Sequence, residues 1–127
     1  MKTNKAVKAL IQKDDKFLLV KRGPGFRGGE WEIPGGRLNT GEAREIGLLR
    51  EIEEETGLKV EIVKHVNDWK FEIKAGILLD GSTFLCKYLN GDVRLSAEHS
   101  DYKWVTKQDA LKMNIPSWLS DTMKMME

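Results

Sequence analysis

The chain has 127 residues, close to the commonest size of one domain, so a single domain over 1–127 with one core and no linker is expected. Apolar residues make up 40% and charged residues 32%, which is ordinary for a globular chain and excludes a disordered composition. Lys and Arg number 21 against 20 for Asp and Glu, a formal net charge of +1, which removes the electrostatic case for a dedicated nucleic-acid binder or a polybasic membrane protein.

Apolar runs such as Phe17-Leu18-Leu19-Val20 fall far short of a membrane span or a signal-peptide core, and Met1-Lys2-Thr3-Asn4-Lys5 does not read as a targeting segment. One cysteine, Cys86, excludes an intramolecular disulfide framework and a multi-cysteine zinc site. A soluble, cytoplasmic chain is expected.

Ala6 to Gln12 reads as a strand, Lys13-Asp14-Asp15 as a turn, and Lys16 to Arg22 as a second strand buried on both faces, together an opening hairpin. Gly23 to Gly29 is too rich in glycine for a helix or central strand and reads as a mobile loop. Trp31-Glu32-Ile33 is a short strand stopped by Pro34-Gly35-Gly36. Thr40 to Thr56 reads as the best helix, with Thr40 as N-cap, Gly57 just past its end, and an apolar stripe of Ile46, Leu49 and Ile52 broadened by Leu48. Strand-like segments follow at Lys59 to Val66, Lys70 to Leu79 and Thr83 to Leu89, with Asp80-Gly81 and Asn90-Gly91 as hairpin signals. Lys103 to Thr106 is a short strand, and Lys107 to Met113 and Ser117 to Met126 read as helices. Strands dominate and one long helix lies between them, so the fold class is α/β or α+β, a mixed sheet covered by helices.

The chemistry-bearing feature is the polar side of the long helix. Glu51, Glu54 and Glu55 stand at i, i+3 and i+4, within an arc of roughly 100° at about 100° per residue. In a partly buried cleft each like-charge pair costs about 3 kcal/mol at an effective dielectric near 20. The cluster also lies in the last helical turn, where the dipole disfavours anions. Compensation by a hard divalent cation fits three clustered carboxylates, and Gly47 on the same face would leave room for a close-approaching group. A merely solvated acidic face fits the same residues, and helix geometry alone leaves both readings open.

From Gly36 to Leu58 the chain reads GRLNTGEAREIGLLREIEEETGL. This resembles the Nudix box, with Gly36, Glu42, Arg50, Glu51, Ile52, Glu54, Glu55, Gly57 and Leu58 at its constrained positions. The flank Trp31-Glu32-Ile33-Pro34-Gly35-Gly36 resembles the strand and turn that lead into the box. The region of Glu98, His99 and Trp104 resembles the later segment in which an acidic loop precedes a strand.

The resemblance implies an α/β/α sandwich around a mixed sheet and Mg²⁺- or Mn²⁺-dependent hydrolysis of a nucleoside diphosphate linked to another moiety, by water attack at phosphorus. It implies Glu51, Glu54, Glu55 and the Gly35 carbonyl as metal ligands, with Glu51 or Glu98 as the base. Gly36, Glu42, Arg50 and Gly57 are implied as structural members of the box, Arg50 through an orienting salt bridge. Arg22 and Arg27 are candidates for phosphate, and Phe26, Trp69 or Tyr88 for stacking on a base. His99 alone reads as a hydrogen-bonding loop residue, and His65 has no recognisable metal partner. Substrate-class patterns downstream of the box, such as those of ADP-ribose, diadenosine polyphosphate, NADH and coenzyme A hydrolases, are missing. A nucleoside triphosphate pyrophosphatase of the pool-sanitising kind and a non-catalytic nucleotide-binding module are the alternatives. The expected partner is a nucleotide-derived small molecule, with no dedicated nucleic-acid binding, no membrane, and an oligomeric state left open, a homodimer included.

Overall fold

The computed structural model describes residues 2–25 and 27–126. Seven strands form one mixed sheet: β1 (Lys2–Lys13), β2 (Lys16–Arg22), β3 (Trp31–Glu32), β4 (Gly35–Arg37), β5 (Lys59–Lys74), β6 (Ile77–Asn90) and β7 (His99–Val105). Three helices, α1 (Arg44–Thr56), α2 (Lys107–Ala110) and α3 (Ser117–Lys124), pack around it. The spatial order is β3-β2-β1-β6-β5, with β4 paired to β1 and β7 to β2. Among the described residues only β1 and β6 run parallel, and the other pairings are antiparallel.

Side-chain alternation along β1 and β2 sorts the core into two layers. Val7, Ala9, Ile11, Leu18 and Val20 meet Leu48 and Ile52 of α1 on one face. Leu10, Phe17 and Leu19 meet Ala110, Leu119 and Met123 of the closing helices on the other. The sheet between helices is the expected α/β/α arrangement, and β2 is buried on both faces, as its apolar run predicts. Each fully buried Leu or Ile contributes about 1.5–3 kcal/mol.

Several elements differ from the sequence expectation. The opening hairpin turns at Asp14, whose φ is 57°, but β1 reaches back to Lys2 because β6 pairs with it from Lys2 to Gln12. β3 does end before Pro34, but Gly35 opens a further strand, lying so close to β1 that a Cβ there would sit 2.1 Å from the Val7 carbonyl oxygen. The long helix starts at Arg44 instead of Thr40, because Gly41 takes a φ of 76° and Ala43 is the N-cap without a side-chain bond. Its buried stripe is Leu48, Ile52 and Thr56, spaced by four, while Ile46 and Leu49 are 66% and 44% exposed. Gly47 leaves no empty room, since the Leu38 and Glu42 side chains fill the place of its Cβ.

The expected strands at 59–66 and 70–79 are divided differently: 59–74 form one 16-residue strand, β5, kept in register with β6 by several bulges, and 77–79 open β6. The chain reverses at Gly76 and not at Asp80-Gly81, which lies inside β6 with Gly81 opposite Trp69. Asn90-Gly91 ends β6, but the next strand pairs with β2, so no hairpin follows. β7 begins at His99, earlier than expected, while α2 and α3 end before Met113 and Met126. Among the described residues no helix is long and apolar enough to cross a membrane.

Candidate active site

A cleft of about 630 Å³ is lined by Glu51 and Glu55 of α1, Gly35 and Gly36 of β4, Lys8 of β1, Arg22 of β2, Glu32 of β3, and Glu98 just before β7. Helical spacing of four aligns Glu51 with Glu55 on one side of α1. Glu55 is buried, and Glu51 lies against the main chain of Gly36, where a Cβ would meet its Oε2 at 2.4 Å. Glycine at 36 therefore lets a carboxylate rest on the β4 backbone. Burial pushes the Glu51 carboxyl upward in pKa, the Arg50 guanidinium opposes that, and Glu54 and Glu55 add to it.

Glu54 lies apart from the cleft lining, its side chain 60% exposed. Arg50 explains this. Its Nε and Nη2 each donate to the Glu42 carboxylate at 2.8 Å, and its Nη1 donates to Glu51 Oε1 at 2.9 Å and Glu54 Oε2 at 3.1 Å. Those bonds hold the Glu42 carboxyl at about 2, and the same Glu42 side chain accepts from the Asn39 N–H. Among the described residues no three acidic, His or Cys side chains converge to hold an ion. Glu51, Glu55 and the Gly35 main chain nevertheless supply hard oxygen donors to one cleft, and Glu54 reaches the edge of that group through the shared arginine. This donor set suits a divalent cation of the magnesium type. Gly57 caps α1 with a φ of 75°, its N–H bonded to the Glu53 carbonyl.

Glu98 is exposed in the turn before β7 and lines the cleft, and its carbonyl accepts from the Gly23 N–H at 3.0 Å. Arg27, at the rim, pairs with Glu30 at 3.1 Å. Phe26 lies outside the described residues. Tyr88 is not in the cleft: its hydroxyl donates to the Gly91 carbonyl and its ring meets Trp104 edge-on. His65 pairs with Asp68 at 2.8 Å, away from the carboxylates.

The sequence names Arg22 as a phosphate candidate and Trp69 as a stacking candidate, but the two groups to which they belong are assembled only by the fold. The first is a buried charge network around Glu32. Glu32 Oε1 accepts from Lys8 Nζ and Arg22 Nη2, both at 3.1 Å, and its Oε2 lies 2.9 Å from His99 Nε2. His99 Nδ1 stands 3.0 Å from Glu55 Oε2. Burial works against an imidazolium there, yet the two carboxylates outweigh it and raise the His99 pKa to about 9. A lysine inside the otherwise apolar stretch Ala6 to Ile11 was the available signal. The second is an aromatic wall: Trp69 stacks on Trp118 with ring centroids 4.3 Å apart and on Phe71 at 5.5 Å. All three rings line the cleft, and the Trp69 Nε1–H donates to Thr83 Oγ1.

The sequence pattern of the NUDIX domain matches residues 2–125. The chain is 33% identical to the nucleoside triphosphatase NudI of Enterobacter sp. (strain 638), over 98% of each chain. Its structure superposes on the MutT protein of Methanosarcina mazei Go1 with a TM-score of 0.87 and 31% identity, over 97% of this chain and 91% of that one. A C. elegans Ap4A hydrolase superposes with a TM-score of 0.82 and 25% identity, over 96% and 93% of the two chains. The chain belongs to the Nudix family, as a pyrophosphohydrolase of nucleotide-linked substrates. Members of this family generally need divalent metal ions.

Proposed function

We propose that this chain hydrolyses nucleoside triphosphates to a nucleoside monophosphate and pyrophosphate, with Mg²⁺ or Mn²⁺ as the cation. The observation that carries the reading is a single cleft holding carboxylates, fixed cations and an aromatic wall together. The NudI similarity over nearly the whole of both chains favours a triphosphate over the diphosphate conjugates first expected.

Glu51, Glu54, Glu55 and the Gly35 carbonyl would hold the cation, Glu54 by leaving Arg50. When bound, such a cation neutralises phosphate oxygens and acidifies attacking water. Lys8 and Arg22 present positive charge to the same cleft and orient the phosphate chain, with Arg27 at the rim. Glu32 keeps the first two in place. The nucleobase lies against the wall of Trp69, Phe71 and Trp118, whose faces are extended, apolar and tolerant of base identity. Glu98 accepts the proton of the attacking water, since it reaches the cleft without an ion pair to α1, and Glu51 is the alternative acceptor.

A product assay decides the reading. Ribo- and deoxyribonucleoside triphosphates, nucleotide sugars and dinucleoside polyphosphates are offered with Mg²⁺ or Mn²⁺, and products are separated by ion exchange. Pyrophosphate and monophosphate from triphosphates, at the highest kcat/KM of the panel, are expected. A preference for sugar conjugates or dinucleotides would overturn the triphosphate assignment.

A further inference from the structure

Resting on the metal reading of α1, we infer that His99 is a positioning residue that holds Oε2 of Glu55 and so reserves Oε1 of that carboxylate for the cation. The placement begins in the strand register. β7 sets His99 opposite Arg22 of β2, and β3 sets Glu32 opposite Val20 of the same strand, so the imidazole and the Glu32 carboxylate meet over one edge of the sheet. The His99 side chain is 3% exposed, which leaves its two nitrogens only protein partners. Nε2 makes a 2.9 Å hydrogen bond with Glu32 Oε2, and Nδ1 makes a 3.0 Å ion-pair contact with Glu55 Oε2 that lies off hydrogen-bond alignment.

Glu55 receives a second contact on that same oxygen, from Ser96 Oγ at 3.1 Å. Both neighbours therefore fall on Oε2. The imidazole cannot rotate to release it, because its other nitrogen is engaged by Glu32, itself tied down by Lys8 and Arg22. The contrast with the other two glutamates is instructive. Glu51 and Glu54 are held by Arg50, which belongs to α1 itself, whereas Glu55 is contacted from across the fold by His99 of β7 and Ser96 of the segment before it. Orienting partners of this kind typically change metal affinity by about 10- to 100-fold when removed.

The test uses the full chain and Mn²⁺ alone, titrated by calorimetry, with far-UV circular dichroism to check the fold. His99→Asn cannot span both carboxylates and should weaken Mn²⁺ binding about 10- to 100-fold. Ser96→Ala, which removes only the hydroxyl, should weaken it in the same direction and by less. In a Glu55→Gln background, His99→Asn should cause no further loss, whereas a general structural role would add its loss in either background. Unchanged Mn²⁺ affinity in both single variants, or additive losses in the double variant, would overturn the inference. Should His99→Asn fail to fold, unchanged affinity in Ser96→Ala alone overturns it. A parent protein that binds no Mn²⁺ would overturn the metal reading and this inference with it, whereas normal binding with unaffected variants would overturn this inference alone.

Discussion

At Glu32, Lys8, Arg22 and His99 all contact one carboxylate, an arrangement with a definite pH signature. Burial alone would raise this carboxyl. The Lys8 charge, the His99 hydrogen bond and the Arg22 charge outweigh it and bring it from 4.5 to about 2. A carboxyl depressed by folding binds its proton more readily in the unfolded chain. Its stabilisation is thus complete above about pH 5 and is lost as pH falls toward 2. Glu32→Gln leaves buried cations without their counter-charge and should cost about 3 kcal/mol at pH 7. Urea titrations at pH 7 and pH 3 check both points. The variant should lose less stability between the two pH values than the parent, and an equal loss would place the acid sensitivity elsewhere. Glu98 gives a different residue-level expectation. On the proposed role of Glu98 as base and not ligand, Glu98→Gln should lower kcat by about 10²–10⁴-fold while Mn²⁺ affinity stays near normal. Matching losses of rate and affinity in stopped-flow and calorimetric measurements would make Glu98 a ligand instead.

Among the elements, β5 and β6 depart furthest from local sequence rules, and the reason is visible at one crossing. Ala6, Gly81 and Trp69 form a row across β1, β6 and β5, and the Trp69 ring occupies the space above Gly81. A Cβ at residue 81 would sit 2.3 Å from that ring. Asp80-Gly81 is thus a flat place for an indole and not a turn. Gly81→Ala should displace Trp69 from Thr83, destabilise the protein by about 1–3 kcal/mol, and raise the nucleotide KM more than it lowers kcat. Thermal melts and steady-state kinetics test this, and an unchanged KM would remove Trp69 from the substrate wall. The same logic of close approach governs Gly35 against β1 and Gly36 under Glu51. In α1, by contrast, the box spacing was legible in outline. Its N-terminus differs because Gly41 takes a positive φ and Ala43, not Thr40, is the N-cap, while Glu42 accepts from the Asn39 N–H and pairs with Arg50.

For the molecule as a whole, Cys86 reports on the integrity of the layer between the sheet and α1. It is fully buried beside Phe84 and Ile52, and burial pushes its thiol up to about 12. A neutral, enclosed thiol is a poor nucleophile. Cys86 should resist alkylation by iodoacetamide at pH 8 and become fully reactive in denaturant, with a rate that follows global unfolding. Mass spectrometry over a urea series checks this, and rapid labelling of the native protein would reveal local opening of β6.

The sequence by itself determined the box: Glu51, Glu54 and Glu55 at helical spacing, the Arg50 beside them, and the glycines that bound them. These are local relations within one element, and helical periodicity places them without reference to the rest of the chain. Alternation in β1 and β2 likewise determined a sheet with two covered faces. The tertiary structure alone decided that Glu51 and Glu55 face the cleft while Glu54 turns toward Arg50 and solvent. It alone brought Lys8, Glu32 and His99 together from three strands, and Trp69, Phe71 and Trp118 from a strand and a helix. The physical reason is that a buried charge or ring is tolerated only where distant partners meet it, and those partners are chosen by strand register and layer packing, which no short window of sequence contains.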